Sequence, residues 1–392
     1  MHKLFGVKKL NMSIKISNQQ TKQLWLQLNQ LQNIDNLELN LLQIIKDLGF
    51  VQIDTIQNVT RAHHHILWSR NNKYKENMFD KILKNADIFE HFTHDASVLP
   101  IEFYPYWNIQ YTRIKEKIDK SKYYKNILDE EGMKNIFNRL ENEGPLHITD
   151  FGSDSVHKTT LDYMWYSGVL GTSHRINFRK YYDKKENIIP SELLNKQISE
   201  KEQIHWLCSN ALSRLGIANA KEIKIFWDVL SLKEVNDWIK ENKNKLVEVL
   251  WENHDGKYTK SFSFLDLGDR LKALDNTNKK IKIINPFDPA IRDRIRLKNI
   301  FGFDYKIEIF VAKEKRIWGY YVYPLLFENE FIARIKLKAD RNVKELTVLN
   351  FWKEDNVIWD DEKQKLLDIE LRDFASFVDI DDINWVCDKL NY

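Results

Sequence analysis

The chain has 392 residues, of which 43% are hydrophobic and 12% aromatic, so it is too long for one compact core and too apolar to be disordered. Its two cysteines, Cys208 and Cys387, lie far apart without a metal-ligand pattern, and no run of 18 apolar residues predicts a membrane span. Residues 353–392 contain twelve acidic and five basic residues and therefore have a charge of −7. Because the net charge of the whole chain is +3, residues 1–352 have a charge of +10. We expect a soluble, cytoplasmic protein with no membrane contact. Its basic body fits an anionic ligand, or only reflects the solvated faces of a lysine-rich composition.

The predicted elements divide the chain into five regions. These are an N-terminal tail at 1–17, three winged helix–turn–helix units at 18–125, 126–190 and 191–275, and a C-terminal antiparallel β-rich domain at 276–392. Each unit is predicted as helices followed by a hairpin or short strands, and Asp255-Gly256 gives the strongest hairpin signal. The last domain is predicted as a half-barrel with strands at 281–284, 305–311, 318–327, 331–337 and 345–352, closed by helices near 360–376 and 380–390. The fold class is therefore α+β. Because winged helices can also bind only other proteins, each unit need not contact a nucleic acid.

A short polar segment follows a predicted helix that ends at Gly49. From Val51 to Thr55, apolar or β-branched residues alternate with Gln52 and Asp54, which is the period-2 pattern of a strand with one buried face. The two polar side chains would leave such a strand on the same side, about 7 Å apart. A carboxylate beside a carboxamide can hold and activate one water molecule. An ordinary half-exposed strand fits the same spacing.

Three consecutive histidines, His63, His64 and His65, follow this segment, and we predict a short strand running from them to Trp68. Successive side chains of a strand point to opposite faces, so at most His63 and His65 could share a metal ion. No cysteine or acidic residue nearby has ligand spacing, unless Asp54 folds back. We therefore predict no metal site.

Six stretches of the sequence carry a resemblance to a known family. They are Val51-Gln52-Ile53-Asp54-Thr55-Ile56, Arg61-Ala62-His63-His64-His65, Phe92-Thr93-His94-Asp95-Ala96-Ser97-Val98-Leu99-Pro100, Asn285-Pro286-Phe287-Asp288, Gly302-Phe303-Asp304-Tyr305 and Gly319-Tyr320-Tyr321-Val322-Tyr323-Pro324-Leu325-Leu326. In these stretches, and over roughly residues 20–390, the chain resembles the bacterial winged helix–turn–helix DNA glycosylases of the YcaQ/AlkZ type, which unhook interstrand crosslinks.

The resemblance implies that the three units and the β-rich domain form a concave surface around duplex DNA. It also implies a catalytic Gln–apolar–Asp triplet, which Gln52-Ile53-Asp54 matches in the form of the YcaQ branch. Asp54 would activate the water that attacks C1′, and Gln52 would position that water. The implied substrates are N7-alkylated purines in double-stranded DNA, including interstrand crosslinks. Because the triplet contains no lysine to form a Schiff base, we expect a monofunctional enzyme that leaves an abasic site and uses no cofactor and no nucleotide. We expect a monomer.

Further site residues follow from the resemblance, for His94 and Asp95, and from the positions of basic and imidazole residues in the predicted elements. Relatives carry His-Glu-Ala where this chain has His94-Asp95-Ala96, so a role carried over to Asp95 is doubtful, and His94 fits a structural role as well as a catalytic one. The residues that we expect to contact DNA are basic or imidazole side chains near the first strand, its loop and the second hairpin. They are Arg61, His63, His65, Arg70, Lys73, Arg175 and Arg179, while His64 is expected in the core.

Two other stretches leave alternatives open. Residues 291–298 largely alternate, so their basic side chains would share one face of a strand and line a DNA channel or face solvent. Tyr104-Pro105-Tyr106-Trp107 would pack the first unit onto the second or insert an aromatic wedge into the duplex. A non-catalytic winged helix DNA-binding protein, such as a regulator, is the alternative function. Asp162 in the predicted recognition helix at 156–167 argues against groove reading by such a regulator.

Overall fold

A computed structural model of the protein describes residues 13–32, 38–152, 154–274 and 279–387. Within these residues the chain forms α-helices and four separate β-sheets, three of three strands and one of five. The mixed α+β fold class predicted from the sequence is confirmed. No helix in the described ranges is long and apolar enough to cross a membrane.

The chain enters the described part of the fold through a short strand, β1 (Ile14–Ile16), and a helix, α1 (Asn18–Leu28). β1 pairs in parallel with residues 249–251 of the third unit. On α1, Trp25 packs edge-on against Phe301 and Phe331, with ring centroids 4.9 and 6.0 Å apart. The prediction of a tail at 1–17 is therefore wrong for residues 14–16, while residues 1–12 lie outside the described part. The first helix packs with the third unit and the C-terminal domain.

The first unit has the element order helix, strand, helix, helix, strand, strand. Its elements are α2 (Leu41–Leu48), β2 (Val51–Gln52), α3 (Ala62–Trp68), α4 (Glu76–Lys84), β3 (Ile88–Phe92) and β4 (Ala96–Pro100). The helix α2 ends at Gly49, whose φ of +88° favours glycine, as predicted. The strand predicted at the three histidines is wrong, because these residues form α3. All seven residues of α3 are buried, so the helix has no polar face and shows no helical period in the sequence.

The second unit repeats this element order after a linking helix. The helices and strands are α5 (Asn108–Asp119), α6 (Glu130–Glu143), β5 (Leu146–His147), α7 (Ile148–Phe151), α8 (Ser155–Tyr166), β6 (Leu170–Ile176) and β7 (Arg179–Lys184). The predicted two-stranded wing is present, because β6 and β7 pair antiparallel from Leu170 to Lys184. Its core is local, formed around Leu140, Leu161 and Trp165.

The third unit forms around a long helix and a hairpin. A short helix, α9 (Lys185–Ile188), ends the second unit and leads into the third. The elements of the third unit are α10 (Ser191–Leu194), α11 (Glu200–Leu215), α12 (Ala220–Trp227), α13 (Leu232–Glu241), β8 (Leu246–Glu252) and β9 (Tyr258–Phe264). The hairpin predicted from Asp255-Gly256 is confirmed by the antiparallel pairing of β8 with β9. The exact boundaries of the five regions stay predictions.

The C-terminal part builds a curled five-stranded sheet. Its elements are α14 (Leu267–Lys272), β10 (Ile281–Ile283), α15 (Arg294–Phe301), β11 (Tyr323–Phe327), β12 (Glu330–Asp340), β13 (Glu345–Lys353), α16 (Asp361–Phe377) and β14 (Asp382–Trp385). Strands β10 to β13 pair antiparallel in this order, and β14 adds in parallel to β13.

Four predictions for this part are wrong. Residues 305–311 and 318–322 form no strand, and residues 382–385 form a strand where a helix was expected. Residues 294–298 belong to α15, because the carboxylate of Asp293 caps that helix by accepting from the backbone N–H of Arg296 at 3.0 Å. The basic side chains of this stretch therefore do not share one face of a strand.

Two hydrophobic cores meet at β2. One joins the first unit to the C-terminal sheet and contains Val51 and Ile53. The other joins the first unit to the third and contains Phe50 and Trp227. Consecutive side chains of a strand point to opposite faces, so Phe50 and Val51 enter different cores. The backbone that carries Gln52 is consequently held from both sides.

Candidate active site

The segment that carries Gln52 and Asp54 changes conformation between these two residues. The β2 ladder stops at Gln52, although the backbone N–H of Ile53 still donates to the carbonyl of Ala96 at 2.8 Å. One carboxylate oxygen of Asp54 then accepts from the backbone N–H of Ile56 at 2.7 Å, which closes a turn. The prediction of one extended strand to Thr55 is therefore wrong beyond Ile53. Gln52 is buried, and Asp54 remains partly exposed to solvent.

The side chain of Gln52 is held by both residues of the predicted His94-Asp95 pair. Its amide nitrogen donates to a carboxylate oxygen of Asp95 at 3.2 Å, and Nε2 of His94 lies 3.2 Å from its amide oxygen. Because a carboxylate only accepts, the amide nitrogen must face Asp95 and the amide oxygen must face His94. Nε2 of His94 therefore carries the proton and donates to Gln52.

The other nitrogen of His94 completes a chain of hydroxyl groups. Nδ1 lies 3.1 Å from Oγ1 of Thr93, and this hydroxyl lies 3.1 Å from Oγ of Ser97. With Nε2 protonated in the neutral ring, Nδ1 accepts from Thr93. Burial and, to a smaller extent, the nearby positive charges of Arg292 and Arg294 together lower the pKa of His94 to about 3. The ring is therefore neutral at physiological pH and holds one tautomer.

Asp54 has the electrostatic character of a general base. Burial raises its pKa, the hydrogen bond from Ile56 opposes this rise, and the neighbouring charge of Asp95 adds to it. The pKa of the Tyr321 phenol is raised well above its usual range, mainly by burial and in part by the negative charge of Asp54. Asp54 belongs to the turn between β2 and α3, and the charge of a second carboxylate, Asp95, acts on it. A carboxylate with a raised pKa accepts a proton more readily than an exposed one.

The residues expected to contact DNA fall into two groups, of which the first stays accessible. Lys73 and Arg179 are exposed. Arg61 is half-buried, with its guanidinium 4.3 Å from the centre of the Phe178 ring. A DNA contact by these three residues stays a prediction.

The second group is buried and bound within the protein. His63 and His65 are 1% and 0% exposed. Nε2 of His65 lies 3.0 Å from the carbonyl of Ile283. Arg70 forms an ion pair with Asp288 in which both side chains are 0% exposed. The prediction that these three side chains contact DNA is wrong for this structure, because they have no surface to offer a phosphate.

Arg175 is also committed to a protein partner. Its guanidinium donates two hydrogen bonds, at 2.9 and 2.7 Å, to the fully buried carboxylate of Glu90 in β3. The pKa of Glu90 is lowered to about 2 because the attraction of Arg175 and Lys180 outweighs its burial. The pair joins the second hairpin to the first unit. Arg175 is therefore a contact between units, and the prediction that it contacts DNA does not fit its position.

Sequence reasoning missed the two arginines nearest the network. Arg292 donates to the carbonyls of Ile225 and Phe226 at 2.7 and 2.5 Å, and Arg294 donates to the carbonyl of Pro286 at 2.7 Å. Their clustering was visible in the sequence, but treating the stretch as a strand concealed that their charges act on His94. Among the described residues, no group of three His, Cys, Asp or Glu side chains could hold a metal ion.

Comparison with known proteins identifies the family and the fold of the chain. A model of the family described as DNA glycosylase AlkZ-like matches residues 45–377. The solved structure of Streptomyces sahachiroi DNA glycosylase AlkZ has a TM-score of 0.64 and 13% sequence identity, and the match covers 95% of this chain and 99% of that chain. At this identity the structural likeness concerns the fold, and it confirms the architecture with its C-terminal half-barrel. The family match confirms the resemblance found in the sequence.

Proposed function

The chain belongs to the AlkZ-like DNA glycosylase family, and we propose that it releases N7-alkylated purines, including interstrand crosslinks, by hydrolysis with Asp54 as general base. The observation that carries this proposal is the partly exposed carboxylate of Asp54, whose pKa is raised by burial beside a locked Gln52 amide. Membership of the family already implies that the protein is a glycosylase that acts on DNA. The lesion, the roles of the residues and the product are the proposal.

The proposed reaction needs little acid assistance. An N7-alkylated purine carries a positive charge, so the electrons of the breaking C1′–N9 bond neutralise the leaving base. Water adds to C1′ and transfers a proton to Asp54, while the negative charge of the carboxylates offsets the positive charge that develops on the sugar. Asp95 is the second carboxylate near this position.

Gln52 is proposed to orient the attacking water. One N–H of its amide is used by Asp95, and its oxygen is used by His94. The second N–H has no protein partner among the described residues, so it can donate to a water. Because both ends of the amide are fixed, this N–H points in one direction, and the water would be held without a reorganisation step.

The proposed product is an abasic site. The Gln52-Ile53-Asp54 triplet contains no amine that could attack C1′ and form a Schiff base. Water is then the nucleophile, and the DNA strand stays intact after base release.

The test is base release from duplex DNA that contains N7-methylguanine or an N7-linked crosslink, with and without alkali. We expect the wild type to give strand breaks only after alkali. Asp54→Asn should lower the rate at least roughly 100-fold, because a general base contributes about 10²–10⁴-fold. Its affinity for the duplex should change less than about twofold, since the change alters chemistry more than phosphate contacts.

Asp162→Asn is the matched control, because burial also raises the pKa of Asp162 on α8, outside the network. This control should release base at the wild-type rate. Tight duplex binding by the wild type without release from either substrate would contradict the proposal and favour a non-catalytic DNA-binding protein. Equal losses of binding and release in Asp54→Asn would contradict the role of Asp54.

A further inference from the structure

Strand β12 of the C-terminal sheet is longer than its neighbour β11. It pairs with β11 only from Glu330 to Ile335, although it continues along β13 to Asp340. Among the described strands, none lies beside residues 336–340 on the β11 side. The N–H and C=O groups of a free sheet edge need other partners wherever the fold covers them.

Asn58 takes the place of the missing strand. Its side-chain amide nitrogen donates to the carbonyl of Leu337 at 2.8 Å and to the phenol oxygen of Tyr323 at 3.2 Å. Its own carbonyl accepts from the backbone N–H of Ala339 in a longer contact of 3.5 Å. One asparagine of the first unit thus bonds to two residues on the edge of β12 and to the first residue of β11.

The residue after Asn58 strengthens this attachment. Val59 is buried in the core that the first unit shares with the C-terminal sheet. Its carbonyl accepts from the guanidinium of Arg341 at 3.4 Å. Burial raises the pKa of the Tyr323 phenol, and hydrogen bonds from the Asn58 side chain and the Val59 backbone oppose that rise. The C-terminal domain therefore holds residues 58 and 59 by hydrogen bonds and by packing.

Gln52 and Asp54 are consequently held by different parts of the molecule. Gln52 pairs with Ser97 of β4, and its side chain bonds within the same β3–β4 hairpin of the first unit. Asp54 belongs to residues 53–61 between β2 and α3, which we name the Asp54 loop. Four residues after Asp54, Asn58 attaches this loop to the C-terminal sheet. The position of the carboxylate relative to the amide therefore depends on how the first unit meets that sheet.

We propose that Asn58 is a positioning residue, which docks the Asp54 loop on the free edge of β12 and so places the Asp54 carboxylate against the water held by Gln52. This inference rests on the proposed glycosylase function and adds the part of the molecule that completes the site. The C-terminal sheet would then contribute to catalysis through a backbone edge, apart from any contact with DNA. Because a shift of about 1 Å in a reacting group can lower a rate roughly 100-fold, this anchor is close enough to control the rate.

The test removes the amide of Asn58 and keeps the size of the side chain. In Asn58→Leu we expect kcat for release of N7-methylguanine from duplex DNA to fall roughly 10- to 100-fold, with KM changed less than about twofold, because the DNA contacts remain. The acid limb of the profile of kcat against pH should also move to lower pH. Burial is the largest cause of the raised pKa of Asp54, and a loosened loop exposes this carboxylate.

Asn18→Leu is the matched control. The amide nitrogen of Asn18 also donates to two backbone carbonyls of other elements, those of Glu252 at 3.2 Å and Ile300 at 2.8 Å, but α1 lies outside the site. Both variants should lower the free energy of unfolding, and only Asn58→Leu should change kcat per folded molecule and the pH profile. Tyr323→Phe removes one acceptor of the Asn58 amide, so the double variant should lose less than the product of the two single losses in kcat.

Hydrogen exchange reads the docking without any need for activity. In Asn58→Leu the backbone amides of residues 54–60 should exchange faster than in the wild type, while those of residues 88–92 keep their rates. Unchanged exchange in the Asp54 loop would overturn the docking. Faster exchange with unchanged kcat and pH profile would overturn the positioning role. If the wild type released no base, the proposed function would fail, while faster exchange in Asn58→Leu would still support the docking.

Discussion

Two neighbouring polar regions of the first unit have opposite roles. The Gln52–Asp54 segment and helix α3 both bring hydrogen-bonding side chains to the surroundings of β2. In the segment, Gln52, His94 and Asp95 bond to one another, and Asp54 stays open to solvent. In α3 the histidine rings are enclosed by the core. The comparison shows that folding leaves one of the two polar regions partly open to solvent and encloses the other, which the residue type alone does not reveal.

The histidines of α3 use their polarity for packing. Nδ1 of His64 lies 2.8 Å from the hydroxyl of Tyr74, and the ring of His65 stacks on Phe374 with centroids 4.4 Å apart. Burial lowers the pKa of His64 to about 4 and that of His65 to about 3. Both rings are therefore neutral at physiological pH. They contribute to stability, and we expect no contribution to the chemistry.

The largest effect that we expect from this contrast is on the free energy of unfolding, and it concerns the buried ion pair of Arg70 with Asp288. Arg70→Met should lower the free energy of unfolding by about 3–5 kcal/mol, because it leaves the buried carboxylate of Asp288 without its partner. Urea unfolding measures this change. Base release per folded molecule should stay at the wild-type value. The exposed Lys73→Met is the control and should change stability by less than about 0.5 kcal/mol. If Arg70→Met bound DNA more weakly but had unchanged stability, Arg70 would be a DNA contact and not a structural residue.

A smaller effect, now on catalysis, is expected at His94. His94→Phe keeps an aromatic ring beside Phe50, whose centroid is 5.7 Å away, but removes the N–H that fixes the Gln52 amide. We expect kcat to fall roughly 10- to 100-fold with KM nearly unchanged, because the water is misplaced and DNA contacts remain. His94→Gln should recover part of the loss by restoring a donor. A fall in stability without a change in kcat would show that His94 is only structural.

The smallest effect is a pH dependence at His63. Its ring is buried, Nδ1 has no partner, and its pKa is lowered well below the usual range by burial, then by His64, Arg175 and Arg61. The unfolded chain binds a proton here below about pH 6.5, whereas the folded chain stays neutral, so stability falls as the pH decreases.

His63→Phe removes this proton uptake. At pH 7.5 the free energy of unfolding of this variant should be close to that of the wild type. At pH 5 it should be larger than that of the wild type by up to about 2 kcal/mol, and urea unfolding at both pH values measures the difference. The ring would still pack on Phe79 and Phe178. If the free energies of unfolding of the variant and the wild type differed by the same amount at both pH values, His63 would titrate in the folded protein. The contrast between α3 and the Gln52–Asp54 segment would then be weaker.

Much of the fold could be predicted because local signals decide it. The glycine that ends α2, the Asp-Gly turn of the third hairpin and the amphipathic α8 are features of a few adjacent residues. The misplaced elements depend on distant contacts. Helix α3 is buried on every side, and residues 305–319 bend around Glu308. The sequence of α3 carries no helical period, and the alternation of residues 305–309 predicts a strand that is absent because no local pattern reveals the bonds of Glu308 to residues 317–319.

The residues of the candidate site could be named from the sequence, but their connections could not. Gln52 does lie within hydrogen-bonding distance of both His94 and Asp95, and their roles with Asp54 stay a proposal. The amide orientation and the neutral state of His94 required coordinates. Arg70 was misassigned because its partner Asp288 lies 218 residues away in the sequence. A basic residue in a loop predicts an exposed charge unless its buried partner is known.

The pairing of β1 and α1 with late parts of the chain has a consequence for the order of folding during synthesis. β1 needs residues 249–251, and Lys22 of α1 bonds to Glu330, which is 308 residues further on. At 5–20 residues per second, the ribosome needs roughly 15–60 s to make that interval. The second unit, with its local core, can fold in the meantime, while the apolar face around Trp25 waits uncovered. This segment, translated well before its partners, would then be placed late, and it is a part of the nascent chain where a chaperone would be expected to bind.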